Sequence, residues 1–478
     1  MGSDYDVLPF ESYPSPERYP DRLWWMARLR GLSATSPSHA SLLEVGCSTG
    51  THLLAIAEQY PHMRVVGVDP SQAQIRKAQA AAIAIGRSDI SFFSEKLEVL
   101  RDSLGTFDYI ICHGVYSWIP HSERGMLLES LSHHLSEGGV LYLSHNVLPG
   151  CNARSSVWKM IRAIDNPKDD SQLRIERARE LLRVSEDRVI DAHRPYGMQL
   201  REEISRNIAR SDSFILHELL TPSADAEWLS ETIEALKRNH LWYLGDAQPQ
   251  RNHALHMELQ NLPMGGAEGV DPLEFAAQYF DILYPTSFRG SLFSRSQTKE
   301  LQQPTADALR GCFVSSPLIA KEVTESMLSS LEMVPFYGPS EEVVEVKAPA
   351  LKRVLFELSQ LWPRAEALAS LFERANQISE LSPTEEGYLL RELLRLYFRN
   401  LLEVHSDRLA IACDVSDCPV VPPFRRLRAG EEWTITLRGE LYKTDPLDRI
   451  LIPLLDGAHS LKSCVAVVVS VLQSGTLF

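Results

Sequence analysis

Short apolar runs alternate with longer amphipathic segments over the first 150 residues of the chain. Runs rich in Val, Ile and Leu between polar turns predict buried strands, and the segments between them have the length and composition of helices. This alternation predicts an α/β fold with a parallel sheet. The predicted strands are Ser41–Gly46, Arg64–Asp69, Asp89–Ser94, Phe107–Gly114 and Val140–Asn146, and the predicted helices are Thr51–Gln59, Ser71–Ile85 and Arg124–Ser136.

The pattern becomes mostly helical from about Cys151 onward. Residues 172–186 are rich in Arg, Glu and Leu and predict an amphipathic helix. A mixed unit follows at 214–263, with a predicted helix over Ala226–Asn239 and a short strand over Leu241–Gly245. The sequence therefore predicts an N-terminal Rossmann-type α/β domain followed by largely helical accessory domains.

The length of the chain and its turn signals divide it into five predicted segments. A chain of 478 residues is too long for one hydrophobic core. Prolines gather between residues 285 and 350, which is typical of a linker. The predicted segments are an α/β domain at 1–160, a helical connector or dimerisation segment at 161–205, a mixed domain at 206–290, a linker at 291–347 and a C-terminal domain at 348–478.

Composition narrows the class of protein. A net charge of −15 makes a nucleic-acid partner less expected, because phosphate binding depends on Lys and Arg. Apolar runs such as Val465–Val469 are far shorter than the roughly 20 residues of a membrane span, and the N-terminus has no secretory pattern. The seven cysteines are scattered and lack zinc-site spacing, so reduced thiols and no bound metal are expected. We therefore expect a soluble cytoplasmic protein.

The first predicted strand ends in the loop Glu44-Val45-Gly46-Cys47-Ser48-Thr49-Gly50, directly before a helix. Glycines at such a turn let the backbone approach a ligand, and the helix N-terminus favours an anionic group such as a carboxylate. A dinucleotide fingerprint would have a third glycine at position 48, where this chain has Ser. Glu44 would repel a pyrophosphate but suits a cationic ligand such as a sulfonium amino acid. The loop favours S-adenosylmethionine over a nicotinamide dinucleotide.

Asp69 closes the second predicted strand, 19 residues after Gly50. A carboxylate at this position can accept hydrogen bonds from both hydroxyls of a ribose. The other interpretation is a local cap of the helix that begins after Pro70. With the glycine loop upstream, we expect Asp69 to bind the ribose of the cofactor.

Polar and aromatic residues follow the fourth and fifth predicted strands. His113, Tyr116 and Trp118 come after the fourth strand, and His145 and Asn146 close the fifth. Tyr116 and Trp118 either line an acceptor site or pack in the core. His113 is expected to be structural or a cofactor neighbour rather than a catalytic base. His145 and Asn146 either orient an acceptor or cap the turn before Pro149-Gly150.

The loop from Glu44 through Gly50, with Asp69, resembles that of the class I S-adenosylmethionine-dependent methyltransferases. Other segments are similar to bacterial members that carry a methyltransferase regulatory domain, among them the rickettsial-type protein-lysine methyltransferases. The resemblance covers nearly the whole chain. Its segments are Tyr5-Asp6, Pro9-Phe10, Pro20–Leu23, Ile111–Pro120, Asn146–Gly150, Phe214–Leu220, Leu241–Leu244, Pro423–Gly430 and Leu454–Gly457.

This resemblance implies roles for particular residues. Tyr5 would fold over the cofactor, the Glu44–Gly50 loop with Cys47 would hold its methionyl half, and Asp69 would hold its ribose. Many relatives have an acid after the third strand to take the adenine amino group. This chain has Ser94-Glu95-Lys96 there, so either Glu95 or a backbone carbonyl would take that role. The segment at 206–290 would be the regulatory-type domain.

The expected activity is methyl transfer to lysine amines of an acceptor protein or peptide, with Tyr116, Trp118, His145 and Asn146 around the amine. More than 300 accessory residues favour a large acceptor, and the acidic net charge favours a cationic one. A methyltransferase for a small molecule or modified peptide, acting at oxygen or nitrogen, is the first alternative. An inactive cofactor-binding module is the second, although the intact glycine loop and Asp69 count against it. A homodimer is also possible.

Overall fold

The structure is a computed structural model that describes residues 5, 8–10, 13–189, 193–248, 271–296, 305–339, 341–378, 380–412 and 414–474. Its centre is a seven-stranded sheet with the strand order β3-β2-β1-β4-β5-β7-β6. Strands β1 to β5 are parallel, and β7 is antiparallel to both β5 and β6. The seven strands are β1 (Ser41–Val45), β2 (Arg64–Val68), β3 (Ser91–Phe93), β4 (Phe107–Cys112), β5 (Leu135–Asn146), β6 (Trp242–Asp246) and β7 (Phe288–Ser294).

The predicted α/β fold is confirmed, but the sheet is larger than the five strands expected from the sequence. Strand β7 pairs with β5 from Leu141↔Phe293 to Asn146↔Phe288, and β6 pairs with β7 outside it. Two strands of the sheet therefore come from beyond residue 160. Strand β6 lies in the segment 206–290, expected to form the regulatory-type domain, and β7 crosses the predicted boundary between that segment and the linker. The division of the chain into domains itself stays a prediction.

Helices cover both faces of the sheet because strand residues alternate between the two faces. On one face, Leu42, Tyr109 and Tyr142 pack against helices that precede or connect the first strands. On the other face, Leu43 and Leu141 pack against a second set of helices. The helices up to the end of β5 are α1 (Pro20–Leu29), α2 (Thr51–Gln59), α3 (Gln72–Ala84) and α4 (His121–His134), with 3-10 turns at Pro16–Arg18, Pro37–His39 and Leu97–Leu100.

A helical insert separates β5 from β6. It has its own core, which includes Val157, Ile175 and Leu216. The helices of the insert are α5 (Asn152–Arg162), α6 (Ser171–Glu186) and α7 (Pro195–Ile208), followed by an α turn at Asp212–Phe214 and a π-helix at Ile215–Leu219. Helix α8 (Leu229–Lys237) then leads into β6, and α9 (Pro272–Leu283) leads into β7.

The C-terminal part contains three small sheets and further helices. Their strand orders are β11-β10-β9, β12-β8-β13 and β14-β15. The strands are β8 (Phe313–Ser315), β9 (Ile319–Ala320), β10 (Val334–Tyr337), β11 (Val343–Val346), β12 (Glu366–Ala367), β13 (Glu403–His405), β14 (Trp433–Ile435) and β15 (Leu441–Lys443). The helices are α10 (Glu325–Ser329), α11 (Pro349–Leu361), α12 (Leu368–Asn376), α13 (Pro383–Phe398), α14 (Pro423–Ala429), α15 (Pro446–Leu454) and α16 (Leu461–Gln473), with a 3-10 turn at Ala306–Leu309.

Residues 291–347 were expected to form a linker, but the described part of this segment is folded. Strands β8 to β11 lie in this segment, and Val314, Leu318, Val334 and Phe336 are completely buried. These side chains share one core with α11 and with the first helices of the chain. Three of the prolines read as linker signals lie within or beside short strands: Pro317 between β8 and β9, Pro335 within β10 and Pro339 just after it. Pro304 lies outside the described residues.

The C-terminal part packs directly on the sheet domain. The ring of Trp25 in α1 lies 5.5 Å from that of Tyr397 in α13, in an edge-to-face contact. Glu58 at the end of α2 forms an ion pair with Arg425 of α14. In the part of the chain that the structure describes, no helix is long and apolar enough to cross a membrane. The six described cysteines are unpaired, and Cys413 lies outside the described residues.

Candidate functional site

The carboxyl ends of β1, β2, β4 and β5 meet at one edge of the sheet, because these strands are parallel. Ligands of open α/β sheets bind in the crevice at this edge. The residues that follow the four strands are Gly46, Asp69, His113 and Val147. The structure therefore brings the ends of the predicted strands together at one edge, as expected from the sequence.

The glycine loop makes a tight turn between β1 and α2. Gly46 has a φ angle of 74° and Gly50 one of 71°, both in the left-handed region that glycine tolerates best. A Cβ atom at Gly46 would lie 2.5 Å from Cγ2 of Val115, and one at Gly50 would lie 3.0 Å from Cβ of Ala78. Side chains are excluded at both positions by conformation and by space. The loop backbone is thus packed closely against Val115 on one side and Ala78 and Phe92 on the other.

Asp69 holds the glycine loop in place. Its Oδ2 accepts a 3.0 Å hydrogen bond from the Ser48 amide, and its Oδ1 accepts a 2.9 Å bond from the Ser71 amide. Ser71, rather than Asp69, caps α3, because its hydroxyl accepts from the Gln74 amide. The bond to Ser48 thus supports the glycine loop, and the bond to Ser71 closes a local turn. Ribose binding by Asp69 stays a prediction.

Glu44 is buried beneath the loop beside two basic side chains. Its Oε1 lies 3.6 Å from Nη1 of Arg18 and 3.2 Å from Nδ1 of His52. Burial raises the pKa of Glu44 to about 7, and the charge of Arg18 opposes that rise. Burial and Arg18 together lower the pKa of His52. Arg18 is thus the cation that the Glu44 carboxylate faces in this structure, and a contact of Glu44 with the cofactor stays a prediction.

The Cys47 side chain does not face the ligand edge. It is completely buried, and its Sγ lies 2.8 Å from the position that a Cβ atom of Gly67 would occupy. Burial raises the pKa of the thiol well above its ordinary value. The thiol is therefore packed in the core, and the expected contact of Cys47 with the cofactor stays a prediction, for its backbone. Glu95 follows β3 and is exposed to solvent, and its contact with adenine stays a prediction.

The N-terminal segment bridges the glycine loop and the π-helix. Ser48 Oγ lies 2.6 Å from the carbonyl oxygen of Phe10. Nε2 of His217, in the π-helix, donates a 2.6 Å hydrogen bond to the carbonyl of Leu8. The Tyr5 ring stacks on that of His217, with the centroids 4.0 Å apart. The residue expected to cover the cofactor is thus held on the helical insert, above the loop.

An aromatic wall lies at the same edge. The Trp118 ring is 6.2 Å from that of Phe288, which is 5.7 Å from that of His113. The indole Nε1 of Trp118 donates a 2.9 Å hydrogen bond to Oε2 of Glu218. Burial lowers the pKa of His113, so its ring is neutral near pH 7. Trp118, His113 and Asn146 are thus gathered around the first residue of β7, which pairs with Asn146.

Tyr116 packs away from this wall. It is almost completely buried, and its hydroxyl donates a 3.1 Å hydrogen bond to Oε2 of Glu227. Glu227 also forms an ion pair with Arg124, whose guanidinium lies 5.0 Å from the Tyr116 ring centre. Burial and Glu227 raise the pKa of Tyr116. Tyr116 was expected either to line the acceptor site or to pack in the core. Its contacts are those of a packed residue.

His145 and Asn146 point to opposite faces of β5. His145 is completely buried, and its Nε2 lies 3.0 Å from Oγ of Ser291 in β7. Burial and the nearby Arg289 lower its pKa to about 3, so the ring is neutral. The structure thus gives His145 a place in the core and not around an acceptor. Asn146 Nδ2 donates to the Asp225 carbonyl, and its buried Oδ1 has no hydrogen-bond partner among the described residues.

Sequence reasoning missed Arg18, Glu218 and Phe288. Arg18 and Phe288 lie far along the chain from the strand ends that they meet, so no local pattern connects them. Glu218 had a signal, because His217 and Glu218 are a polar pair within the otherwise apolar run Phe214–Leu220. Polar residues in such a run need partners or a function. Among the described residues, no group of His, Cys, Asp and Glu could hold a metal ion.

Two family models match the chain. Residues 43–141 match a methyltransferase domain, and residues 211–295 match a predicted methyltransferase regulatory domain. The second match ends at β7 and includes β6, so the regulatory-domain sequence contributes two strands to the central sheet.

Two relatives of the chain occur in Rickettsia prowazekii. An uncharacterised protein of Rickettsia prowazekii is 25% identical over 99% of this chain and 87% of its own length. A second is 30% identical over 49% of this chain and 94% of its own length. The structure of PKMT2 from Rickettsia typhi in complex with AdoHcy superimposes with a TM-score of 0.80, 23% identity and coverage of 98% of this chain and 92% of that one. The chain belongs to the class I S-adenosylmethionine-dependent methyltransferases that carry a methyltransferase regulatory domain.

Proposed function

We propose that this methyltransferase binds S-adenosylmethionine at the glycine loop and Asp69 and transfers its methyl group to lysine amines of a protein. The first turn of α2 supports the cofactor half of the proposal, since its amides lack partners within the helix and favour a carboxylate. Asp69 follows the neighbouring strand, and its Oδ2 accepts a hydrogen bond from the Ser48 amide of the loop. The Rickettsia typhi neighbour, which shares the fold, binds AdoHcy.

Other residues complete the proposed cofactor site. Tyr5, stacked on His217, would cover the cofactor from the insert side. His113, which follows β4, would adjoin it, and the exposed Glu95 after β3 would meet the adenine. Glu44 would act from below the loop, where its carboxylate faces Arg18. In this proposal Cys47 contributes its backbone and not its buried thiol.

The aromatic wall carries the proposal of a lysine acceptor. Aromatic faces attract alkylated ammonium groups, by about 2 kcal/mol where water is excluded. Trp118 and Phe288 offer such faces, and the neighbouring His113 is neutral and so does not repel a cation. The unpaired Oδ1 of Asn146 adds an acceptor for an N–H group. PKMT2, the neighbour of similar fold, is a lysine methyltransferase by name.

The reaction asks mainly for alignment. The sulfonium of the cofactor is already activated, so the protein aligns the amine, the methyl carbon and the sulfur and keeps water out. A lysine amine, with an ordinary pKa of about 10.4, must lose its proton before it can attack. A largely desolvated site lowers that pKa. The homodimer and the cytoplasmic location expected from the sequence are kept as parts of this proposal.

The proposal is tested by incubating the enzyme with bacterial lysate and S-adenosylmethionine carrying a labelled methyl group. Acid hydrolysis followed by amino-acid analysis then identifies the methylated residue. We expect the label in the protein fraction, stable to acid and base, as methyl-lysine. Base-labile methyl ester, or label confined to small molecules, would contradict the lysine acceptor and favour the small-molecule alternative.

A further inference from the structure

Glu218 lies at the aromatic wall, on a π-helix, which is a rare element. It belongs to the π-helix Ile215–Leu219, and such helices occur often at functional sites. The preceding residue, His217, holds the N-terminal segment through the carbonyl of Leu8. That segment reaches the glycine loop through Phe10 and Ser48. The π-helix that carries Glu218 is therefore connected to the proposed cofactor site through the N-terminal segment.

The surroundings of Glu218 leave its charge without a direct cationic partner. Within the described part of the chain, the indole of Trp118 is the side chain hydrogen-bonded to it, and no ion pair reaches it. Two arginines face it at longer range. Arg154 of α5 is already paired with Glu203, and Arg210, after α7, lies over the Phe214 ring. The partly buried carboxylate of Glu218 thus lies beside the aromatic wall, and among the described residues its charge has no cation in direct contact.

We infer that Glu218 binds the acceptor ammonium and accepts its proton before methyl transfer. This inference rests on the proposed lysine acceptor. Trp118 would hold Oε2, which leaves Oε1 for the ammonium, while the rings of Trp118 and Phe288 enclose the side chain of the lysine. A carboxylate placed against an aromatic face is a site for a cation and not for an anionic or neutral acceptor.

The proton balance of the step is simple. The carboxylate takes one proton from the ammonium, which leaves a neutral amine and a neutral carboxylic acid. The amine lone pair then forms the N–C bond while the C–S bond breaks, and its electrons return to sulfur. The products are a methylated ammonium and neutral S-adenosylhomocysteine, and Glu218 returns its proton to solvent.

The protonation behaviour of Glu218 fits this role. Burial raises its pKa to about 7, while the Trp118 hydrogen bond and the charges of Arg154 and Arg210 oppose the rise. Near neutral pH such a group exchanges a proton readily in both directions. His217, its neighbour in the sequence, stacks on Tyr5 and bonds Leu8, so it is engaged elsewhere.

The test compares Glu218→Gln with wild type in the lysate assay, with methyl-lysine as the measured product. The glutamine keeps the size of the side chain and an acceptor for Trp118, but it cannot take a proton. We expect the rate of methyl-lysine formation to fall about 100-fold, with the affinity for S-adenosylmethionine unchanged in calorimetry. Asp165→Asn is the matched control, because Asp165 is a buried acid of the same insert that pairs with Arg174.

The pH profile gives a second readout. The wild-type rate should rise with pH through about 7, the Glu218→Gln variant should lose that step, and Trp118→Phe should move it to higher pH by removing the hydrogen bond that lowers the pKa. Methyl-lysine formed by wild type and Glu218→Gln at equal rates would overturn the inference and leave the proposed function standing. If wild type labels no lysine, the proposed function fails, and the inference fails with it.

Discussion

At the scale of single residues, the carboxylate of Asp69 has one structural role and one proposed binding role. It supports the glycine loop through the amide of Ser48, and it is proposed to bind the ribose. The sequence predicted the position of Asp69 from its spacing to Gly50, because both features are local to strand ends. It did not predict the support of the loop, since that depends on how the side chain is oriented in three dimensions.

Replacing Asp69 by Asn tests the ribose role. The amide removes the charge and one acceptor, so we expect the affinity for S-adenosylmethionine to fall by about 1.5–3 kcal/mol for each charged hydrogen bond lost. Isothermal titration calorimetry measures this change. Ser71→Ala is the control, since it removes the cap of α3 and should cost about 1 kcal/mol of stability while leaving cofactor affinity intact. An equal loss of affinity in both variants would show that Asp69 acts through the loop alone.

His145 links pH to stability. Burial lowers its pKa in the folded protein to about 3, whereas an unfolded histidine titrates near pH 6.5. The unfolded chain therefore binds a proton below pH 6.5 that the folded protein does not, and the free energy of unfolding falls as pH falls. From pH 7.5 to 5 this group accounts for about 2 kcal/mol.

The pH effect is measured by urea denaturation of wild type and His145→Gln at pH 7.5 and 5.0. The variant should lose less stability between the two pH values, by up to about 2 kcal/mol. His62→Asn serves as the control, because His62 is exposed, and should follow wild type. An identical pH dependence of His145→Gln and wild type would show that His145 is not held neutral by the fold.

At the scale of elements, the strand–turn–helix unit from β1 to α2 was predicted correctly, because its apolar run and its glycines are contiguous. Strand β7 was not predicted. Its sequence, Phe-Arg-Gly-Ser-Leu-Phe-Ser, contains a polar residue at almost every second position. Arg289 of this strand is completely buried, and its charge is neutralised by ion pairs with Asp246 of β6 and Asp281 of α9. Such pairing across distant segments is invisible to a local pattern.

The glycine turn yields a prediction with a matched pair. Gly50 and Gly86 both have φ angles above 70°, but a Cβ atom would meet Ala78 and Phe92 at Gly50 and nothing within 4 Å at Gly86. Alanine at either position should cost about 1 kcal/mol of stability for its backbone conformation. Gly50→Ala should in addition weaken cofactor binding, by about tenfold or more if the loop shifts by a few tenths of an ångström. Thermal unfolding and calorimetry separate the two effects, and equal cofactor affinity in both variants would contradict the proposed role of the loop.

At the scale of the whole molecule, the central sheet is not built by a contiguous N-terminal segment. The sheet is completed by strands that follow the helical insert, and the C-terminal part shares its core with the first helices. This arrangement explains why the texture of the sequence suggested a boundary near residue 160. The change from alternating to helical pattern is real, but it marks an insertion into the sheet rather than its end.

The whole-molecule prediction concerns truncation. A fragment of residues 1–160 would expose the edge of β5, where Leu141 to Asn146 pair with β7. It would also uncover Leu141 and Leu143, which lie in the core that includes α8 and α9 residues. An unpaired apolar edge of this kind favours aggregation. We therefore expect the fragment to be unfolded or aggregated and not to bind S-adenosylmethionine.

A longer fragment, 1–296, makes this prediction specific. It restores β6 and β7, so the sheet is complete, but Trp25 and Glu58 lose the partners Tyr397 and Arg425. We expect it to bind S-adenosylmethionine in calorimetry, with a melting temperature below that of the full chain because part of the shared core is exposed. Circular dichroism and size-exclusion chromatography report the fold of each fragment. Stoichiometric cofactor binding by residues 1–160 would contradict this account, since it would mean that the five parallel strands are sufficient for a stable site without the two strands that the regulatory segment supplies.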